Sequence, residues 1–191
     1  MKMPVVLLIL SGVGVAFGLL PDQTDALLLA LPCLVASLYL VLRAFWRRPA
    51  PLWILVDGSN VLHWADGTPQ LATLRAVVDH LTGMGFAPSI VLDANAGYKI
   101  GDRYQHDAAF GRMLGLPVSQ VMVVGKGTPA DPALLAAARD LGARIVTNDR
   151  FRDWAADYPE VARPGHLVRG GMRDGKLWLD LEGAAAPANR G

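Results

Sequence analysis

The spacing of apolar positions divides the chain in two. Positions 3–20 run for 18 residues without a charged side chain and 26–42 for 17 more, separated by the turn-like Pro21-Asp22-Gln23-Thr24-Asp25. Each run is near the lower limit for a helix rising about 1.5 Å per residue to cross a hydrocarbon core of about 30 Å. After a stiff linker at 49–51, Pro49-Ala50-Pro51, the pattern changes to short β-rich runs alternating with helical ones. A compact apolar run at 52–56 ends at Asp57-Gly58. Leu71, Leu74, Val77, Val78 and Leu81 then mark one face of a helix over 70–81. Strands are expected at 89–92, ending at Asp93, at 121–124, and at 144–146, ending in Thr147-Asn148-Asp149. Helices are expected at 106–114, 131–141 and, briefly, 151–158. The segments 166–171 and 176–181 flank Arg173-Asp174-Gly175 and predict a hairpin, because Asp-Gly favours the positive φ angles of tight turns. Alternating strands and helices predict an α/β domain over 52–182, a largely parallel sheet with helices on both faces. The alanine-rich 183–191 is expected to be a flexible tail.

Composition sharpens this division. The chain is 52% apolar and 18% charged with a net charge of +1, which argues against disorder and against a strongly basic nucleic-acid binder. Residues 1–50 hold 33 apolar side chains, whereas 51–191 hold 67 in 141, an ordinary globular share. Three readings compete for the first stretch: a hairpin of two transmembrane helices at about 3–20 and 26–42 within an anchor of 1–48, a cleaved signal peptide followed by one anchor, and a buried helix pair. Lys2 precedes the first run and Arg43, Arg47 and Arg48 follow the second, while the turn carries only Asp22 and Asp25. The positive-inside rule then favours the hairpin, with both termini and the α/β domain cytoplasmic. Phe45 and Trp46 suit an interfacial position, and Gly14 and Gly18 have a small-xxx-small spacing. Cys33 is the single cysteine, so neither an internal disulfide framework nor a cysteine-based zinc site is available.

In open parallel sheets ligands bind beyond the carboxyl ends of the strands. Asp57, Asp93 and Asp149 each close an expected strand, and Asp131 opens the helix after the third. Asp153 follows Asp149 by four residues, so a helical turn would put both on one side. Asn60, three residues past Asp57, can reach back across the turn. Each acid has a plain structural use: Asp131 before Pro132, for instance, is a good helix cap. Several carboxylates converging on one rim, however, repel one another unless a cation is present. Hard oxygen ligands suit Mg²⁺, with Mn²⁺ as the alternative. Such a metal activates water and stabilises an in-line phosphoryl transition state, so phosphodiester hydrolysis is the expected reaction.

Three segments carry a resemblance to a known family. Ile54-Leu55-Val56-Asp57-Gly58-Ser59-Asn60-Val61, Ala130-Asp131 at the start of a helix, and Ile145-Val146-Thr147-Asn148-Asp149 followed by Phe151-Arg152-Asp153 resemble the NYN branch of the PIN-like nuclease fold. Within it the chain is similar to the ribonuclease group of the CCCH zinc-finger endoribonucleases, over about 52–181. The resemblance implies a PIN-like sheet with a terminal hairpin and an Mg²⁺-dependent endoribonuclease acting on single-stranded or loop RNA. It implies Asp57, Asp131, Asp149 and Asp153 as the acidic cluster around the metal. Asn60 would orient Asp57 or the scissile phosphate, and Ser59 and Thr147 would shape the rim. Asp93 is an auxiliary ligand at most. Two departures stand out: Ala130 precedes Asp131 where the family often has a pair of aspartates, and the zinc finger is absent.

The expected partners are therefore RNA and a lipid bilayer, with a homo-oligomer left open. Residues 51–191 carry 14 Lys+Arg against 15 Asp+Glu, so no global basic field draws in RNA. Lys99, Arg103, Lys126, Arg150 and Arg152 are the local candidates for phosphate contact, with Ser59 and Thr147 on the rim and Tyr98 and Trp64 for stacking on bases. His63 and His106 are bystanders. A PIN-like module that binds RNA or protein at the membrane without cutting is the alternative.

Overall fold

The computed structural model describes residues 2–21, 23–46 and 50–181. The expected tail at 183–191, the last expected domain residue at 182, Asp22 of the turn and Arg47, Arg48 and Pro49 ahead of the α/β domain lie outside them. The chain divides into two compact units, Met1–Ala50 and Pro51–Gly191.

The first unit is a pair of helices, α1 (Lys2–Gly18) and α2 (Asp25–Trp46). At 22 residues α2 is long and apolar enough to cross a membrane, whereas the apolar stretch Met3–Gly18 of α1 is shorter. Large apolar side chains point outward: Leu29 and Phe45 are 77% and 78% exposed. The small residues Ala30 and Ser37 are buried instead. A Cβ on Gly14 would lie 3.3 Å from Cβ of Ala30, and one on Gly18 would lie 2.8 Å from the Leu27 side chain. The small-residue spacing of α1 thus serves its approach to α2 within one chain.

In the second unit five strands form a parallel sheet in the order β3-β2-β1-β4-β5: β1 (Leu52–Asp57), β2 (Phe86–Leu92), β3 (Val121–Val123), β4 (Arg144–Val146) and β5 (Leu167–Val168). Ile54, Leu55 and Val56 are all fully buried, as expected of a central strand covered on both faces. Ile54 and Val56 pack toward α4 (Leu71–Gly83) and α6 (Asp107–Leu114), through Leu74, Val77, Leu81 and Phe110. Leu55 faces the other way, toward Leu134, Leu135 and Ala138 of α7 (Ala130–Leu141) and Phe151.

Four features depart from the expected elements. The helices α3 (Gly58–Val61) and α5 (Ala96–Gly101) were too short to show a period. Leu167–Val168 does not belong to the hairpin but joins the main sheet beside β4. The hairpin itself is β6 (Gly170–Arg173) with β7 (Lys176–Leu179), and its turn has φ of 51° at Asp174 and 72° at Gly175, as Asp-Gly favours. Finally, 151–158 holds only a 3-10 turn, Arg152–Trp154. Phe151 is left-handed at φ 47°, which breaks the α-helical path before Asp153.

Gly58 fixes the entry to the site. An added Cβ would meet the Leu92 side chain at 2.5 Å and Ile90 at 2.9 Å, because α3 lies directly against β2. Gly58→Ala is therefore expected to destabilise the domain by about 1–3 kcal/mol through overpacking. Chemical denaturation of the full chain checks this; unchanged stability would mean that α3 can move off β2 freely.

Candidate active site

The order β3-β2-β1-β4-β5 places a topological switch point between β1 and β4, where consecutive connections leave in opposite directions. Crevices for ligands form there, beyond the strand ends. Asp57 ends β1 and is buried, with 9% of its surface accessible. Its Oδ1 accepts the backbone N–H of Asn60 at 3.1 Å, capping α3, and its Oδ2 accepts the hydroxyl of Thr147 at 2.9 Å. Thr147 stands just past β4, so this contact closes the switch point. The Thr147 hydroxyl also accepts the N–H of Asp149 at 3.0 Å. Thr147 is fully buried, so it supports the rim from beneath and does not offer its side chain to RNA.

Electrostatics draw the other acids into the same site. Burial, opposed by the Asn60 and Thr147 hydrogen bonds and reinforced by the charges of Asp131 and Asp149, raises the Asp57 carboxyl from 3.8 to about 6. Asp131, at the start of α7, is also raised, first by burial and then by the charges of Asp149 and Asp153. The Trp154 side chain hydrogen-bonds Asp131 and opposes that shift. Asp149 Oδ1 accepts the N–H of Phe151 at 3.0 Å and that of Arg150 at 2.5 Å. The left-handed Phe151, whose side chain is buried, is thus held between the core and the carboxylate it serves.

The remaining predicted residues fall into different places. Asn60 touches Asp57 through its backbone; its side-chain oxygen instead accepts the Trp64 indole N–H at 2.8 Å and the Asn148 N–H at 3.0 Å. Trp64 is thereby committed to the fold and is not a free stacking platform. Ser59 Oγ accepts the N–H of Asp93 at 2.8 Å, which ties the ends of β1 and β2 together. Asp93 is paired with Lys99 at 3.2 Å, and its carboxyl is held below the ordinary value: burial pushes it up, but Lys99 and the Ser59 and Asn95 hydrogen bonds outweigh that. The charges acting on Asp57 are those of Asp131 and Asp149, while Asp93 faces Lys99. Arg103, Lys126, Arg150 and Arg152 are exposed, as is the Tyr98 ring. His63 bonds the Ser59 carbonyl through Nδ1 at 2.9 Å.

Sequence reasoning missed Asn148 and Trp154. Asn148 exchanges two hydrogen bonds with Gly170 of β6, at 2.8 and 3.3 Å, and its carbonyl accepts the Arg169 guanidinium. The Asp149 loop is thus held by α3 on one side and by the hairpin on the other. Only the position of Asn148 beside Asp149 could have signalled this.

The donors suit a hard cation: all are carboxylates, and two, Asp57 and Asp131, have proton affinity raised first by burial and then by neighbouring carboxylates. Among the described residues, however, no three His, Cys, Asp or Glu side chains are arranged to hold a metal ion.

A family model described as Zc3h12a-like Ribonuclease NYN domain matches residues 52–164, more than half of the chain. Two solved structures of the nuclear protein-only RNase P 2 (PRORP2) of Arabidopsis thaliana are similar in fold, each with a TM-score of 0.54. They are 20% and 23% identical over 93% and 83% of this chain and 36% and 35% of theirs. The chain therefore spans about a third of the length of those proteins. Comparison with curated proteins finds no match.

The raised Asp57 carboxyl sets a pH signature. Well below pH 3.8 the group is protonated in folded and unfolded chains alike. Between 3.8 and about 6 the unfolded chain ionises first, so stability falls as pH rises through that window. In the metal-free full chain, Asp57→Asn is expected to remove this loss, matching wild type near pH 4 and exceeding it at pH 7 by about 1–3 kcal/mol. Denaturant titrations in chelator at both pH values check this; equal stability at pH 7 would refute it.

Proposed function

The chain belongs to the Zc3h12a-like ribonuclease NYN-domain family, and from that we propose that its RNA-cleaving domain works as a divalent-metal-dependent endoribonuclease tethered to a membrane. The observation that carries the reading is the buried Asp57 at the switch point, its carboxyl raised partly by Asp131 and Asp149. Asp57, Asp131, Asp149 and Asp153 would hold Mg²⁺, or Mn²⁺, through carboxylate oxygens and waters. The ion would supply an activated water and charge stabilisation for in-line phosphodiester hydrolysis.

The protein's own groups do the positioning. Thr147 and the Asn60 N–H keep Asp57 facing the rim, and the Asn60 side chain holds the Asp149 loop through Asn148. Arg103, Lys126, Arg150 and Arg152, all exposed, would meet the phosphates of single-stranded or loop RNA. Tyr98, 54% exposed, supplies a face for a base. Lys99, paired with Asp93, is held in a defined position to meet a phosphate. The absence of a three-carboxylate cage among the described residues favours the second reading, a module that binds RNA without cutting it.

The anchor reading rests on the outward-facing apolar surface of α1 and α2 and on Arg43, Arg47 and Arg48 after the second run. Under the positive-inside rule these arginines would put both termini and the nuclease domain in the cytoplasm.

With the full chain in detergent, Mg²⁺ and a stem-loop RNA, wild type is expected to cleave and to stop on chelation. Asp149→Asn should lower the rate about a hundredfold or more. Equal cleavage by both proteins would refute the site; RNA binding with no cleavage at high enzyme would favour the non-cutting module. In cells, a reporter fused after Arg48 is expected to be active only on the cytoplasmic side, and activity confined to the other side would reverse the orientation.

A further inference from the structure

At the amino-terminal edge of the sheet, opposite the aspartate rim, lies a cavity of about 280 Å³ lined by Arg139, Arg144, Arg163, His166 and Glu160. Arg144 opens β4 and His166 stands just before β5. Arg139 is in the last turn of α7. Glu160 belongs to the 3-10 helix Pro159–Ala162, and Arg163 follows it. The cavity therefore has no part in the chemistry assigned to the strand ends.

Its lining carries three arginines against one carboxylate. Arg139 is committed to the wall: it grips both oxygens of Glu160 at 2.7 and 3.0 Å, donates to the Asp157 carbonyl at 2.6 Å and lies 4.3 Å over the Tyr158 ring. Glu160 is thereby neutralised. Arg144 is half-buried and donates to the carbonyls of Gly165 at 2.9 Å and Leu181 at 3.4 Å, which leaves part of its five-donor fork available. Burial pushes its proton affinity down, and the charge of Asp180 opposes that. Arg163 is exposed. The decisive atom is Nε2 of His166. It is buried and, among the described residues, is the one buried side-chain nitrogen or oxygen with no hydrogen-bond partner. Burial and the charges of Arg163 and Arg144 keep this imidazole below its ordinary pKa, against the pull of Glu160. A buried polar atom without a partner is unfavourable and uncommon in folded proteins. His166 lines this cavity together with Arg144 and Arg163, basic side chains that supply donors for a tetrahedral anion.

Position suggests where that anion comes from. Arg144 pairs in register with Ile54 of β1, so the cavity neighbours the end at which the chain enters the sheet. Only five residues, including Arg47 and Arg48, separate Trp46 from Leu52, about 20 Å of chain at full extension. We propose that the Arg144–Arg163–His166 cavity binds a phosphate group, and that the phosphate belongs to an anionic lipid headgroup of the bilayer that holds the anchor. For the source of the phosphate this rests on the anchor reading; for the pocket it does not. Headgroup binding at this edge turns the aspartate rim, at the opposite edge, away from the lipid and toward RNA.

The test uses the full chain with ¹⁵N-labelled histidine, the His166 signal being assigned with His166→Gln. In phosphatidylcholine nanodiscs, added inorganic phosphate is expected to move the His166 imidazole toward its protonated form, saturably. Nanodiscs that also contain phosphatidylglycerol should produce the same shift with no phosphate added. Arg163→Glu, at an exposed position, should weaken the phosphate response about tenfold or more, whereas Asp149→Asn should leave it unchanged. No response to phosphate or to phosphatidylglycerol, in chain that co-elutes with the discs, overturns the proposal. A response to phosphate alone overturns the lipid source, and saturation by an RNA oligonucleotide in preference to both overturns it in favour of RNA. Chain that fails to enter discs refutes the anchor; the phosphate titration in detergent then decides the pocket by itself.

Discussion

The site depends on one contact, the hydroxyl of Thr147 on the carboxylate of Asp57. It bridges β1 and β4, two strands whose sequence positions are 90 residues apart, at the place where the sheet changes direction. Because Asp57 is buried there, its charge is poorly solvated, and the nearby carboxylates of Asp131 and Asp149 make ionisation harder still. Thr147 and the Asn60 N–H hold the group in place and partly relieve that penalty, and the Asp149 loop is hung from the same hydroxyl. A site stressed in this way favours a cation at its mouth.

Around that contact the supporting groups are polar and local. Asn60 secures Asn148, Asn148 secures β6, and Ser59 secures the end of β2. These short side chains have few rotatable bonds, so little entropy is lost in fixing them. The longer cations, Arg103, Lys126, Arg150 and Arg152, stay exposed. The two edges of the sheet thus carry opposite chemistry: acids at the carboxyl ends of the strands, and arginines with His166 at the amino ends.

Much of this was legible in the chain. The apolar periods located both helices of the first unit, the four principal strands and the three longer helices of the second, each within a few residues. The acids at strand ends identified the rim, because a parallel sheet must place the ends of all its strands on one edge. What escaped the sequence was short or long-range. Two-residue β5 and four-residue α3 have no measurable period. The 151–158 segment carried a helical pattern, but Asp149 takes the amides of Arg150 and Phe151 and diverts the backbone. Trp64 read as a stacking ring and proved to be a strut, since its indole N–H found Asn60.

By itself, then, the sequence determined which segments are strands and helices, which apolar surface belongs to the amino-terminal helix pair, and which residues can carry charge to the rim; these follow from local periodicity and residue type. The tertiary structure decided the strand order, and with it that Asp57 and Thr147 meet, that Asp93 turns to Lys99, and that His166 lines a cavity with three arginines. The reason is physical: burial and pairing are properties of groups brought together from distant parts of the chain, and no periodicity along the chain records them.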